Sequence, residues 1–282
     1  MRVMITGAAG LLAGAIRREF AAHADIHPFD KQGLDLTDRL AVEATVARVA
    51  PDVLINCAAF NDVDGAEDRA VAALQANTFA VLWLTRASRA AGARLVQYST
   101  DFVFDGTGTR PYTEDDTPGP RSVYASSKLL GDWLALEEPK AYVLRVESLF
   151  GKPASPLGRR GSLGGIVDRI KAGEEVPVFV DRTVSPSYTA DVARATRLLL
   201  EVEAPAGLYH CVNSGFATWV DIAAEAARIL ERPLRTRALT LATVGLKAPR
   251  PLYCAMSNAK LARAGIAMPD WREALAKYLR EL

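Results

Sequence analysis

The sequence has few cysteines and histidines and no long apolar run. Its 282 residues include three cysteines and three histidines. Cys57, Cys211 and Cys254 are far apart and odd in number, which favours free thiols in a reducing cytoplasm over a disulfide framework. Their spacing from the histidines is not that of a zinc site, so we expect no metal. No run reaches the ~18 apolar residues of a membrane span, and the N-terminus lacks a signal-peptide layout. We therefore expect a cytoplasmic protein.

The sequence also lacks an excess of positive or negative charge. The chain carries 34 basic and 33 acidic residues, without a long block of either kind. This balance predicts no nucleic-acid partner and no polybasic attachment to a membrane. Half of the residues are hydrophobic, which is enough for one large domain or two closely joined ones.

In the first 150 residues, short apolar runs alternate with longer helical patterns. Such alternation is typical of a doubly wound parallel sheet, the Rossmann type of α/β fold, with helices on both faces. The predicted strands are residues 2–5, 26–29, 53–57, 95–99 and 142–146, and the predicted helices are 11–22, 39–49, 67–90 and 123–136.

A glycine-rich turn follows the first predicted strand. Gly7 permits a tight turn, Gly10 lets the backbone approach a pyrophosphate, and the next helix presents free N–H groups to the anion. A turn without a ligand is the alternative, but the position between a strand and a helix favours dinucleotide binding. The expected contacts in this loop are Gly7, Ala9, Gly10, Leu11 and Leu12.

Acidic residues follow the second predicted strand. Asp30 stands where a carboxylate commonly binds the ribose hydroxyls of the adenosine. An acid there favours NAD, whereas the neighbouring Lys31 offsets its repulsion of a 2′-phosphate, so NAD and NADP both stay open. A solvated strand end is the alternative for Asp30. Asp35 and Leu36 lie further on, in a position suited to the adenine.

The pattern changes after residue 151. Residues 152–165 are rich in glycine and proline and predict a surface loop, in which Arg159 and Arg160 are either solvated or clamp a diphosphate.

Strands are predicted at 176–180 and 207–211. We expect a dinucleotide-binding domain of residues 1–150, with about 183–202 returning to it. A smaller, discontinuous α/β substrate domain would comprise 151–182 and 203–282.

A tyrosine and a lysine four residues apart share one face of the helix predicted at 123–136. An unperturbed tyrosine, with a pKa near ~10, exchanges protons poorly at neutral pH. The cation of Lys128 is expected to lower the pKa of Tyr124 and so prepare it for general acid–base catalysis. Thr100 ends a buried strand at the sheet edge where ligands bind, and its hydroxyl can bond a substrate carbonyl. The pair alone is common on surface helices, but together with a dinucleotide loop it favours hydride transfer to a carbonyl.

Several longer segments resemble a known family, the dTDP-4-dehydrorhamnose reductases among the extended short-chain dehydrogenases. The resemblance covers nearly the whole chain, and the segment 99–106 is its most specific part. Its motifs are Pro51-Asp52-Val53-Leu54-Ile55-Asn56-Cys57-Ala58-Ala59-Phe60, Val63-Asp64 with Ala66-Glu67, Tyr98-Ser99-Thr100-Asp101-Phe102-Val103-Phe104-Asp105-Gly106, Val123-Tyr124 with Lys128-Leu129, Arg250-Pro251, and Pro269-Asp270-Trp271-Arg272-Glu273-Ala274-Leu275.

The resemblance implies NAD(P)H-dependent reduction of the 4-keto group of a nucleotide-activated 6-deoxysugar, the last step of dTDP-L-rhamnose synthesis. By the same resemblance Thr100, Tyr124 and Lys128 form a catalytic triad, in which Tyr124 gives its proton to the ketone and Lys128 also holds the nicotinamide ribose. The family's cofactor channel is implied to run along Ala58, Ala59, Phe60 and Asn77.

The substrate side departs from the family. Residues 146–150 lack the tryptophan that usually follows Arg145, a glycine-rich stretch replaces the usual asparagine-phenylalanine, and Tyr253-Cys254 follows Arg250-Pro251 in place of Asn-Ser. A reductase or epimerase of another sugar nucleotide or small ketone therefore stays open. So does a catalytically silent dinucleotide-binding regulatory subunit, although the intact Thr100, Tyr124 and Lys128 argue against it. The substrate is expected to be a sugar nucleotide, and a homodimer is left open.

Overall fold

A computed structural model describes residues 1–154 and 161–282; Arg159 and Arg160 lie outside the described residues. The chain forms, in order, β1 (Arg2–Thr6), α1 (Leu11–Phe20), β2 (Asp25–Phe29), α2 (Arg39–Val49), β3 (Val53–Asn56), α3 (Val63–Asp68), α4 (Ala70–Leu74), a π-helical turn (Gln75–Phe79), α5 (Ala80–Ala91), β4 (Arg94–Thr100), a 3₁₀ turn (Asp101–Val103), α6 (Val123–Leu136) and β5 (Ala141–Val146).

The elements that follow are shorter on average. They are β6 (Leu149–Phe150), α7 (Gly161–Ala172), β7 (Val176–Phe179), β8 (Thr183–Val184), β9 (Ser187–Tyr188), α8 (Thr189–Glu201), β10 (Gly207–His210), β11 (Ala217–Thr218), α9 (Trp219–Ile229), β12 (Thr236–Leu239), α10 (Leu241–Val244), α11 (Ala259–Arg263) and α12 (Trp271–Arg280).

Six strands form one parallel sheet in the order β10-β5-β4-β3-β1-β2. Helices α1 and α8 pack on one face, where Ile16 and Val192 join the strand residues in one core. Helices α2, α5 and α6 cover the other face, around Val46 and Leu84. The predicted doubly wound parallel sheet is therefore confirmed.

The sixth strand corrects one predicted boundary. Residues 207–210 were expected in the smaller domain that begins again at residue 203, yet β10 pairs in parallel with β5 at the edge of the large sheet. Tyr209 and Cys211 are buried in the same core as α8, which explains why this segment returns to the sheet. The division into two domains otherwise stays a prediction.

A second core lies outside the sheet. Helices α7, α9 and α12 bury apolar residues against each other and against the short β7–β12 pair. The loop predicted at 152–165 is therefore wrong in its last part, because α7 begins at Gly161. This helix buries Leu163, Ile166, Val167 and Ile170 at helical spacing.

The long helix predicted at 67–90 is also wrong, because it is interrupted twice. Arg69 leaves helical geometry, with φ −122° and ψ 47°, between α3 and α4. The π-helical turn Gln75–Phe79 then separates α4 from α5. Among the described helices, none combines the length and apolar character that crossing a bilayer requires.

Candidate active site

The glycine-rich turn lies directly against the end of β3. Gly7 has a φ of +68°, and a Cβ built on it would come within 2.5 Å of the backbone nitrogen of Ala58. The N–H of Gly10, at the start of α1, donates to the Gly7 carbonyl at 2.9 Å. Only glycine fits at residue 7, because both its backbone conformation and its surroundings exclude a side chain. The result is a narrow backbone cradle at the carboxyl edge of the sheet.

A buried amide holds this cradle in place. Asn56 Oδ1 accepts hydrogen bonds from Thr6 Oγ1 at 2.6 Å and from the Ala58 N–H at 3.1 Å. Its Nδ2 donates to Gln97 Oε1 at 2.6 Å, so three adjacent strands are linked. Sequence reasoning missed this role of Asn56; a lone amide at the end of the apolar run 53–57 was the available signal.

Ten of the fifteen residues predicted to hold the cofactor line a cavity of about 480 Å³, which we call the nucleotide cavity. This volume lies within the range of small-molecule and cofactor sites, ~300–1,000 Å³. Asp30 Oδ1 accepts hydrogen bonds from the Gln32 and Gly33 N–H groups, which shapes the turn after β2. The cavity brings together Gly7, Ala9, Gly10, Asp30, Lys31, Asp35, Leu36, Ala58, Ala59 and Phe60.

An adjoining cavity of about 300 Å³, the catalytic cavity, contains the predicted triad. Thr100, Tyr124 and Lys128 line it together with Leu11 and Leu12. The two cavities share Gly10, Ala58 and Ala59, so they adjoin each other beside the glycine-rich turn.

Asn77 has a different place from the other predicted cofactor residues. Its buried amide accepts a hydrogen bond from the Phe60 N–H at 2.8 Å and donates to Ser127 Oγ at 3.0 Å. Its neighbours Gln75 and Ala76 line the nucleotide cavity instead. Asn77, which belongs to the π-helical turn, therefore holds the Phe60 segment against α6.

The start of α6 is fixed by two hydrogen bonds. Ser122 Oγ accepts from the Ala125 N–H at 3.2 Å, and Glu67 Oε1 of α3 accepts from the Val123 N–H at 2.9 Å. Both satisfy N–H groups of the first turn, which otherwise lack partners. Tyr124 sits in that turn, and Lys128 follows one turn later on the same face.

Burial changes the expected acidity of Tyr124. Its side chain is 8% exposed, and this burial raises its pKa well above the usual value. The hydrogen bond with Thr100 opposes the rise, while the charges of Asp101 and Asp132 add to it. The predicted lowering by Lys128 is therefore wrong for this structure. A raised pKa keeps the phenol protonated at neutral pH, which is the form that can donate a proton to a ketone.

The ammonium group of Lys128 is bound to the backbone of β4. Its Nζ donates to the Tyr98 carbonyl at 2.7 Å, and burial lowers its pKa to about 8, although the charge of Asp132 opposes this. Asp132 itself is paired with Arg145 at 3.3 Å, and both side chains are almost completely buried. Asp132 lies one helical turn beyond Lys128, and this spacing in the sequence was enough to predict that its charge acts on the Lys128 ammonium group.

Residues 146–149, within the stretch that departs from the family pattern, also line the catalytic cavity. Ser148 adopts a φ of +43°, which is unusual for a residue with a side chain. Glu147 and Ser148 both line the cavity, and sequence reasoning gave neither a role.

Known proteins resemble the chain over its full length. A dTDP-4-dehydrorhamnose reductase of Streptomyces griseus is 36% identical, over 98% of this chain and 92% of the relative. A probable dTDP-4,6-dihydroxy-2-methyloxan-3-one 4-ketoreductase of Streptomyces antibioticus is also 36% identical, over 100% and 96%. The dTDP-4-dehydrorhamnose reductase of Bacillus anthracis, solved in complex with NADP, superposes with a TM-score of 0.93 at 31% identity, covering 100% of this chain and 99% of that one. The family model described as RmlD substrate binding domain matches residues 1–282, and the chain belongs to that family.

Proposed function

We propose that the protein reduces the 4-keto group of a dTDP-activated 6-deoxysugar with NAD(P)H. The observation that carries this proposal is that the nucleotide cavity adjoins the cavity lined by Thr100, Tyr124 and Lys128. The similarity to named dTDP-4-dehydrorhamnose reductases supports the choice of substrate.

The roles of the residues follow from their positions. The glycine cradle at Gly7 fits the backbone approach of a pyrophosphate, and the reduced dinucleotide supplies a hydride when bound. Thr100 hydrogen-bonds the carbonyl oxygen of the substrate, and Tyr124 donates its proton to that oxygen. Lys128 holds the nicotinamide ribose through its ammonium group and faces the same cavity.

The choice between NADP and NAD depends on the end of β2. Asp30 and Lys31 both line the nucleotide cavity, so a carboxylate and an ammonium face the adenosine ribose. The NADP complex of the Bacillus anthracis relative favours NADP(H). Lys31 is the residue that would attract the 2′-phosphate.

Oxidation of NADPH and NADH with a dTDP-4-keto-6-deoxysugar tests this function. We expect the absorbance of the reduced nicotinamide to fall only when both the cofactor and the keto-sugar are present, with a product that carries a new 4-hydroxyl group. Absence of turnover with tight cofactor binding would instead support a regulatory subunit.

A second candidate is the reduction of a different sugar nucleotide. It is favoured by the altered stretch at Glu147 and Ser148 and by the ketoreductase of Streptomyces antibioticus among the relatives. A panel of dTDP- and UDP-linked keto-sugars separates the two candidates by their kcat/KM values.

We further propose that the protein forms a homodimer through α6. This helix exposes Leu130, Trp133 and Leu136, and the Trp133 side chain is 56% exposed. Their spacing places them on one helical face, and an exposed apolar face of this kind is typical of an interface.

Trp133→Glu is expected to convert a dimer to a monomer in sedimentation analysis. Leu40→Glu, at an exposed position of α2, is the control that should leave the mass unchanged; an unchanged mass for Trp133→Glu would contradict the proposed surface.

The three cysteines are free in the structure. Free thiols support a cytoplasmic site for this reaction, because thiols stay reduced there. Recovery of the activity in the cytosolic fraction of the source cells would test this.

A further inference from the structure

A buried pair of carboxyl groups lies beside the catalytic cavity and has no part in the function proposed above. Thr100 and Val146 are paired in register on β4 and β5, so the next residues, Asp101 and Glu147, leave the sheet side by side. One carboxyl oxygen of each lies within 4.8 Å of the other and of the Cys254 sulfur. The two residues are 3% and 2% exposed, and both line the catalytic cavity.

Asp101 is connected to Tyr124 through Thr100. Thr100 Oγ1 donates to Asp101 Oδ1 at 3.1 Å, and the same hydroxyl lies beside the phenol of Tyr124, where it acts to lower the phenol's pKa. Glu147 Oε2 accepts from the Ser185 N–H at 2.6 Å, while its Oε1 is buried without a hydrogen-bond partner among the described residues. The contacts thus run from Glu147 through Asp101 and Thr100 to the proposed acid.

The charges around the pair favour a bound proton. Arg182 is the cation that faces both carboxyl groups, and it also donates to Cys254 Sγ at 3.4 Å. One guanidinium balances one carboxylate. Burial raises the pKa of Asp101 to about 6, and burial together with the charge of Asp101 raises the pKa of Glu147 well above its usual value, so the pair keeps one proton at neutral pH, on Glu147. The titratable and charged groups that face the pair are Arg182, Cys254, Tyr253 and Tyr124.

The same cluster has the donor atoms of a metal site, with two carboxyl groups and a thiol. The guanidinium of Arg182 already supplies the positive charge, however, and burial raises the pKa of the Cys254 thiol, which therefore stays protonated. A protonated thiol is a poor metal ligand. A shared proton accounts for the cluster better than a metal ion does.

We infer that Glu147 stores the proton that reloads Tyr124, with Asp101 and Thr100 as the relay. Both acids are positioning residues, because they act through Thr100 on the residue that touches the substrate. This inference rests on the proposed reductase function.

The proton transfers balance. The O–H bond of Tyr124 breaks as a new O–H bond forms on the substrate oxygen, and the electron pair on the carbon comes from the reduced cofactor. The phenolate of Tyr124 then takes the proton of the Thr100 hydroxyl. The Glu147 carboxyl group passes its proton to the Asp101 carboxylate, and Asp101 gives that proton to Thr100. Asp101 is again a carboxylate facing Arg182, and solvent restores the proton of Glu147.

The variant Glu147→Gln tests the inference, because its amide oxygen can still accept from the Ser185 N–H. The amide of glutamine has no acidic proton, so Asp101, which is ionised at neutral pH, receives none to pass to Thr100. We expect kcat at pH 7.5 to fall by about tenfold, as is reasonable for a step that assists a general acid. The alkaline limb of the kcat–pH profile should move to lower pH, with KM values within about twofold of wild type.

Infrared difference spectra give a second readout that needs no turnover. The wild-type protein should show a protonated-carboxyl band near neutral pH that is absent in Glu147→Gln. Glu138→Gln, which alters a buried glutamate paired with Arg89 just beyond α6, is the matched control and should change neither the band nor the pH profile. An active wild type whose band and alkaline limb are the same in Glu147→Gln would overturn the inference. A wild type without turnover on any keto-sugar would refute the proposed function instead, while the band would still report the shared proton.

Discussion

The variant Tyr124→Phe is expected to lose activity by about 10²–10⁴-fold in kcat, the range typical of a general acid. The phenol is held at the start of α6 by the Ser122 and Glu67 contacts, and its raised pKa keeps it protonated. Phenylalanine fills the same space without a proton to donate. The measurement is steady-state oxidation of the reduced cofactor with the keto-sugar, together with the Kd for the cofactor, which should remain close to wild type.

The matched control for this variant is Tyr142→Phe. The Tyr142 hydroxyl donates to the Ala204 carbonyl at 2.6 Å in the core of the sheet, away from the cleft. Its loss removes one buried hydrogen bond and is expected to leave kcat within about twofold, because no catalytic group is moved. Equal rates for Tyr124→Phe and wild type would remove Tyr124 from the proposed mechanism.

Breaking the buried ion pair beneath the site is expected to have the largest effect on stability. Asp132 and Arg145 lie 3.3 Å apart, with side chains 1% and 3% exposed. Asp132→Ala leaves the guanidinium buried without its carboxylate, which should lower the free energy of unfolding by ~3–5 kcal/mol. Chemical denaturation followed by circular dichroism measures this loss.

Two further variants separate the cost of an unpaired charge from a simple loss of volume. In the double variant Asp132→Leu with Arg145→Met, both charges are removed, and most of the lost stability should return. Glu43→Ala breaks the exposed pair with Arg39 on α2 and should cost less than ~1 kcal/mol. If Asp132→Ala were no more destabilised than Glu43→Ala, the buried pair would not contribute as argued.

Local sequence patterns predicted most of the large sheet. Apolar runs such as 53–57 and 142–146 have few alternatives to buried parallel strands, and α2 and α6 have the predicted bounds. The glycine-rich turn and the spacing of Tyr124 and Lys128 are equally local, since a tight turn and one helical face each depend on a few residues. These features could be predicted because each is determined by residues close together in the chain.

Long-range contacts decided what the sequence patterns missed. The π-helical turn within the helix predicted at 67–90 carries the contacts of Asn77 with Phe60 and Ser127, and β10 joins the large sheet through its pairing with β5. Helix α7 likewise forms where glycines predicted a loop, because its apolar face is buried in the second core.

The sequence by itself determined the class of fold, the dinucleotide loop and the pair of residues proposed to perform the chemistry. The tertiary structure alone decided their electrostatics. Lys128 was expected to lower the pKa of Tyr124, but its ammonium group donates to the Tyr98 carbonyl. Burial instead raises the pKa of Tyr124, and the charges of Asp101 and Asp132 raise it further. The register of β4 and β5 brings Asp101 and Glu147 together, although they are 46 positions apart. A pKa depends on desolvation and on every nearby charge, and these are set by packing rather than by spacing along the chain.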